Sequence, residues 1–422
     1  MVPPEEFEQA YYATFTREPC FISGGFVAAY LGATQGALAI IAGTLIGVFV
    51  VLLAALPAAS RYGVEAVRST RPIFGVRGSF LAVMLALVIL VGWNAVLMIS
   101  LAEAAAAALV QMGVIDAAQT SVWAVVFSLV GVVAVHFLLR RGNTTLRWAG
   151  PVVAITVLVL AVWIGVTIFA QFGVDEIFSA EALAPFPENR VNFMLVIELG
   201  VAGGMSRWPY VGGLTRNAKS IRHAALPSMA GLGLMMGLVL AIGMFAALAL
   251  PASGGDPTAF LIEIGGPTVF SDLFMANYGA FITLAGILLG PICGIQIVDY
   301  FFIRRQELDV RGLFSNDSSG RYWYFAGFNP AGLVSLLVGM ATYLVLLDPF
   351  TYVPGLDLGL IAASIPCAIT AGVSYFVLMR VVPKLWASRL LPLASRRSQP
   401  RRVTDSEDAW IPSARVYASV DA

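Results

Sequence analysis

Charge is scarce in this sequence. Asp, Glu, Lys and Arg together make up 12% of its 422 residues, about half the share in an ordinary soluble domain. The 25 basic residues are balanced by 25 acidic ones, so there is no basic excess to neutralise phosphates and nucleic-acid binding is disfavoured. Cysteine is rarer still. Cys20, Cys293 and Cys367 lie far apart in apolar stretches, which excludes a disulfide framework and a CxxC metal site. The two histidines, His136 and His223, stand alone. There is no GxSxG, HExxH, phosphate loop or Walker lysine, so the chain is read as a non-enzyme that needs no cofactor and holds no metal. Residues 1–19 carry four glutamates and one arginine, which is not the basic start and apolar run of a cleavable signal peptide.

Apolar residues are plentiful: 59% of the chain, with a mean hydropathy of +0.84. A soluble globule of this length cannot hide so much apolar surface, because single cores stop growing near 250–300 residues. A helix crosses the hydrocarbon layer with about 20 apolar residues. Nine segments reach that length: 36–59, 80–112, 119–139, 148–171, 191–214, 224–250, 274–303, 326–346 and 357–381. A tenth, 20–33, is short. With both termini cytoplasmic, 24 of the 25 basic residues fall on the inside and Arg190 alone falls outside, as the positive-inside rule requires. The sequence therefore predicts an all-α, multi-pass protein of the plasma or inner membrane. Residues 1–19 form a cytoplasmic segment, 20–382 the transmembrane domain and 383–422 a basic, polar, disordered tail.

Chemistry within lipid is sought where helices break or polar groups are buried. Transporters built from inverted repeats bind substrate near the midplane, at glycine-interrupted helices in matching positions of the two halves. Ser23-Gly24-Gly25 in span one and Gly203-Gly204, followed by Met205-Ser206, in span six are five spans apart. That is the period of a five-helix repeat. Other glycines read as packing pairs: Gly43 with Gly47, Gly233 with Gly237, and the series Gly286, Gly290, Gly294. Glu198, seven residues into span six, is the best intramembrane carboxylate, a costly group that normally faces an interior or a pathway. Trp93 and Asn94, near the middle of span three, offer a stacking face and an amide for a flat heterocycle, although a lone tryptophan is more often packing. Asp299 is expected to pair with a nearby arginine and fix the cytoplasmic end of its span.

Four segments then resemble, in order, the nucleobase–cation symporter-1 family of cytosine, purine, uracil, allantoin and hydantoin permeases. They are Ser69-Thr-Arg-Pro-Ile-Phe-Gly-Val-Arg-Gly-Ser79, Val91-Gly-Trp-Asn94, Leu214-Thr-Arg-Asn-Ala-Lys-Ser220 and Gly290 to Arg305, followed by Gly327-Phe-Asn-Pro330. The resemblance covers residues 20–381. It implies a leucine-transporter-like bundle of two inverted five-helix repeats within twelve helices, of which this chain has about ten. It also implies a planar nitrogen heterocycle bound between helices one, three, six and eight, with Na⁺ or H⁺ as coupling ion. Trp93 takes the position of the helix-three stacking residue. The helix-six aromatic falls at Gly203 or Gly204, so that stacking face is missing. Part of helix one has no counterpart, and neither do helices eight and nine, between Asp256–Pro267 and Asn277. Helix eight carries substrate and Na⁺ contacts in the family.

Residues and resemblance together predict a permease for a nucleobase or related heterocycle, working by alternating access and cation-coupled symport. Its site is expected at Gly24, Gly25, Trp93, Asn94, Glu198, Gly203, Gly204 and Ser206, its partners being the small-molecule heterocycle and the bilayer. One alternative is a non-transporting remnant or regulatory partner of such a permease, another an amino-acid or amine transporter of the same broad fold. A cavity at the helix breaks separates the remnant from a transporter.

Overall fold

The computed structural model describes residues 19–140, 143–215, 218, 220–249, 272–356, 359 and 361–394. The chain divides into two units. Met1–Met379 holds the bundle, and Arg380–Ala422 is described only over its helical residues 380–394. The bundle begins with α1 (Pro19–Tyr30), α2 (Ala33–Tyr62), α3 (Ser79–Gln111), α4 (Thr120–Arg140) and α5 (Asn143–Phe172). Two shorter pieces follow, α6 (Asn189–Met205) and α7 (Trp208–Thr215). Next come α8 (Ile221–Ala249), widened by a π turn at Met229–Met235, and α9 (Asp272–Val298), prolonged by a π turn at Asp299–Ile303. The last two helices are α10 (Pro330–Leu346) and α11 (Ser364–Ala394). Every predicted span coincides with one of these helices or with the α6–α7 pair, and six are long and apolar enough on their own to cross a bilayer.

Without a hydrophobic drive between helices in lipid, close backbone approach through small residues holds them together. The α2–α6 contact is the clearest case. The two helices run parallel, with Gly43 and Gly47 facing Gly200 and Gly204. A Cβ on Gly43 would lie 2.7 Å from the Ile197 carbonyl oxygen, and one on Gly204 would lie 2.8 Å from the Val48 nitrogen. Gly233 and Gly237 bring α8 onto the same helix, where the Thr44 hydroxyl donates to the Gly233 carbonyl at 3.0 Å. Gly286, Gly290 and Gly294 do the same for α9 against Ser364, Cys367 and Ala368 of α11. All three glycine patterns expected to pack therefore do so.

The helix interruptions are displaced from the glycine pairs, and this corrects the expected breaks. Gly24 and Gly25 lie inside α1, and the chain leaves the helix at Leu31–Gly32. A Cβ on Gly24 would sit 2.6 Å from the Met244 nitrogen, so this glycine serves an α1–α8 contact. Gly203 and Gly204 likewise lie inside α6, and the break comes at Ser206–Arg207. Pro209 explains the shift. It has no N–H to continue the ladder, it disfavours a helical conformation at Trp208 before it, and it sits comfortably in the first turn of α7.

The arginine-rich connections after α2 and α9 lock together at one end of the bundle. Arg77 N–H donates to the Gly327 carbonyl at 2.8 Å and Asn329 N–H to the Phe74 carbonyl at 2.8 Å, while Asn329 Nδ2 reaches the Ile73 carbonyl at 2.7 Å. Gly75 (φ +89°) and Gly327 (φ +93°) adopt backbone angles that favour glycine, and their backbones touch. The guanidinium of Arg304 donates to Asp299 at 2.8 Å, to the Pro72 carbonyl at 3.0 Å and to Tyr324 OH at 2.8 Å. Burial disfavours the charge on this guanidinium, but the Asp299 carboxylate beside it outweighs that and holds it firmly protonated. Tyr375 OH donates to the other Asp299 oxygen at 2.7 Å. Asp299 thus takes the structural role expected of it.

Candidate functional site

The indole of Trp93 on α3, 4% exposed, meets side chains from α9 and from the α6–α7 break, and α8 packs behind the latter. From α9, Phe281 meets it edge to face, with ring centroids 5.4 Å apart. Gly92 makes this possible, since a Cβ there would enter the Phe281 ring. From the α6–α7 break, the Arg207 guanidinium lies over the indole, 5.1 Å from its centroid. From α8, just past the π turn, Met236 places its sulfur 3.7 Å from Arg207 Nη2 and its methyl against Gly203. Ser206 shapes the break: its hydroxyl donates to the Gly203 carbonyl at 2.6 Å, and Arg207 N–H to the Gly204 carbonyl at 3.2 Å. The arrangement joins an aromatic face to a planar fork of N–H donors, a combination that stacks on a flat ring and donates to its carbonyl oxygens.

A second polar cluster lies higher on α6. Glu198 is 1% exposed. One of its oxygens accepts from Tyr343 OH of α10 at 2.8 Å and from the Ser364 hydroxyl, while the other accepts from Ser364 N–H at the start of α11 at 2.9 Å. Beside it is a small, partly open cavity of about 20 Å³, room for one water molecule. Its lining includes Glu198, Tyr30 of α1, Thr283 of α9, and Leu347 and Tyr352 of the α10–α11 connection. The Tyr352 hydroxyl is buried and has no hydrogen-bond partner.

Comparison with known proteins decides the family. The profile of the family described as "Permease for cytosine/purines, uracil, thiamine, allantoin" matches residues 18–265 and 264–363. The chain belongs to this permease family. The two matched segments meet where the sequence places the absent helices eight and nine; residues 250–271 lie outside the described residues. Among curated members, an allantoin permease of Bacillus subtilis (strain 168) is 36% identical over 104 residues, 25% of this chain and 20% of that protein. A hydantoin permease of Microbacterium maritypicum is 30% identical over 124 residues, 29% of this chain and 21% of that one. A purine–uracil permease of Arabidopsis thaliana is 43% identical over 53 residues, 13% and 9% of the two chains. The matched stretches thus span about a fifth or less of each relative's length. The solved structure of Mhp1, a nucleobase–cation symporter-1 transporter in a closed conformation with bromovinylhydantoin bound, superposes with a TM-score of 0.66 at 20% identity. The match covers 91% of this chain and 93% of that one. The inward-facing form of Mhp1 gives the same TM-score at 19% identity, covering 91% and 92%. This family member thus has the leucine-transporter-like fold that its sequence predicts.

Of the residues singled out in the sequence, Trp93, Gly203 and Ser206 come together in this permease. Asn94 does not join them: it is exposed, and its amide donates to the Leu90 carbonyl one turn back at 2.7 Å. Glu198 belongs to the Tyr343–Ser364 cluster. Gly24 and Gly204 are committed to helix contacts, and half-buried Gly25 shares α1 with Gly24. Arg207 is the residue that sequence reasoning missed. It was counted among the inside basic residues, yet it falls within the 191–214 span, and an arginine inside a span was the signal. Phe281 and Met236 carried no signal of their own, because an aromatic or a methionine in an apolar helix is ordinary core.

Proposed function

We propose that this protein is a multi-pass permease of the cell membrane, with both termini cytoplasmic, that moves a planar, carbonyl-bearing nitrogen heterocycle by alternating access. The observation that carries the reading is the Arg207 guanidinium lying over the Trp93 indole at a helix break. A flat ring entering here has an aromatic face to stack on and fixed donors for its oxygens. Ser206 and the carbonyls freed at the end of α6 supply further polar contacts. The names of the curated relatives support the class: allantoin, hydantoin and uracil are all cyclic, nitrogen-bearing and rich in carbonyls. Na⁺ coupling through helix eight is not part of the proposal, because no counterpart of that helix is recognised in the sequence.

The test is uptake of radiolabelled cytosine, adenine, uracil and allantoin by cells lacking their own permeases. Accumulation of cytosine, uracil or allantoin supports the proposal, while accumulation of adenine alone, which bears no carbonyl, contradicts its substrate class. No uptake of any, with surface expression confirmed, overturns it. The faces of Gly24 and Gly204 that close in packing favour the rival, a non-transporting relative of such a permease, and the same null result would favour it further.

A further inference from the structure

Among the described residues the bundle buries two carboxylates, Glu198 and Asp299, and their surroundings differ in kind. Asp299 has a cationic partner in Arg304, 2.8 Å away. Among the described residues no basic side chain pairs with Glu198. Its partners are the hydroxyls of Tyr343 and Ser364 and the Ser364 N–H. The other titratable groups facing it are also neutral when protonated: Cys367 of α11, whose sulfur bonds the Ser364 and Gly286 carbonyls, and Tyr30 and Tyr352 across the cavity. From α9, Gly279 and Thr283 line the cavity and Gly286 packs against the carboxylate, none of them titratable, and the ionisable side chains of α2, Arg61 and Tyr62, stand at its far end. A carboxylate buried in lipid without a counter-charge is costly, and protonation removes the charge.

We propose that Glu198 is the proton-binding site that couples this permease to H⁺. The inference rests on the permease reading and goes beyond it by assigning the coupling ion and the residue that carries it. The cavity supplies the route. One water held between the unpartnered Tyr352 hydroxyl and the Glu198 carboxyl would pass a proton inward from the end of the bundle where the α1–α2 turn and the α10–α11 connection lie. The proton leaves the water and joins a carboxylate oxygen, and on release returns to water as hydronium, so no other reactant is needed. The geometry also supplies coupling. Glu198 sits on α6, eight residues before the Ser206–Arg207 break begins, while its donors sit on α10 and α11. Losing or gaining a proton therefore alters the bonds that tie the interrupted helix to its neighbours.

The test uses the full chain in proteoliposomes with radiolabelled uracil and allantoin, with a pH-sensitive dye reporting proton flux. Uptake is expected to need no Na⁺, to alkalinise the outer solution and to collapse with a protonophore. At one proton per neutral substrate, an inward gradient of one pH unit sustains about tenfold accumulation. Glu198→Gln keeps most of the hydrogen-bonding shape and is expected to equilibrate substrate across the membrane without concentrating it. Substrate uptake by the unaltered protein with no accompanying proton movement overturns the inference and leaves the permease reading standing. Concentrative, proton-driven uptake by the Gln variant overturns it too. If neither compound nor any other heterocycle enters, both readings fall.

Discussion

Replacing Asp299 tests the account of the arginine-rich end most sharply. Its carboxylate is 2% exposed and accepts from Arg304 and Tyr375 at 2.8 and 2.7 Å. Asp299→Ala leaves the Tyr375 hydroxyl buried without its acceptor, at a cost of about 1–3 kcal/mol. It also leaves the Arg304 charge, whose side chain is 10% exposed, facing only the neutral oxygens of Pro72 and Tyr324. Breaking a buried pair from one side typically costs about 3–5 kcal/mol, and that range is expected here. Asp299→Asn keeps a carbonyl acceptor for one of the two donors and sets its amide N–H against the other; it should cost less than the alanine variant, about 1–3 kcal/mol. The assay is thermal unfolding of purified protein in detergent, read by fluorescence-detected size exclusion. In a cycle with Arg304→Gln, the double variant should be markedly less destabilised than the sum of the single variants, because each removes the other's unpaired charge. An Asp299→Ala protein as stable as the unaltered one, or strict additivity in the cycle, would refute the reasoning.

Other substitutions probe the remaining contacts. Gly204→Val pushes a branched side chain into the α2 backbone; a cost of about 1–3 kcal/mol or more is expected, seen as lost folded yield, while Gly213→Ala, with open space around it, should be tolerated. Gln296→Leu removes the acceptor of Trp208 Nε1 at 2.7 Å and the donor to Ser69 Oγ at 2.5 Å, and should lower thermal stability by about 1–3 kcal/mol. Arg207→Gln removes a charged fork from the indole face, and binding of uracil or allantoin, measured by scintillation proximity, should weaken by about 10- to 100-fold. Arg207→Lys, which keeps the charge without the planar fork, should recover only part of that loss.

The fold was legible because lipid imposes a simple grammar: apolar runs of a set length, and arginine on one side. Every helix in the bundle follows from those two patterns. The glycine pairs were legible as packing where nothing polar lay beside them. The same pattern misled at Gly24-Gly25 and Gly203-Gly204, because close approach and helix breaking both call for glycine, and only the position of Pro209 relative to the pair separates the two. Asp299 found its arginine five residues ahead, a spacing visible in sequence. Glu198 could be marked as significant, but its donors stand 145 and 166 residues away and no local pattern announces them. Of the family motifs, Val91–Asn94 alone reaches the site, through Trp93. Ser69–Ser79 and Gly327–Pro330 instead build the lock at the arginine-rich end.

The backbone-to-backbone seam between α2 and α6 has a practical corollary for anyone who watches this protein move. Side chains can rotate to accommodate a sliding neighbour, but a contact made by Gly43, Gly47, Gly200 and Gly204 has no side chains to rotate. If the protein transports, these two helices are expected to keep a fixed spacing, and a pair of spectroscopic labels placed one on each should report a constant distance. Labels that straddle Ser206–Arg207, with one on α6 and one on α7, span the interruption and are the pair expected to register bending there.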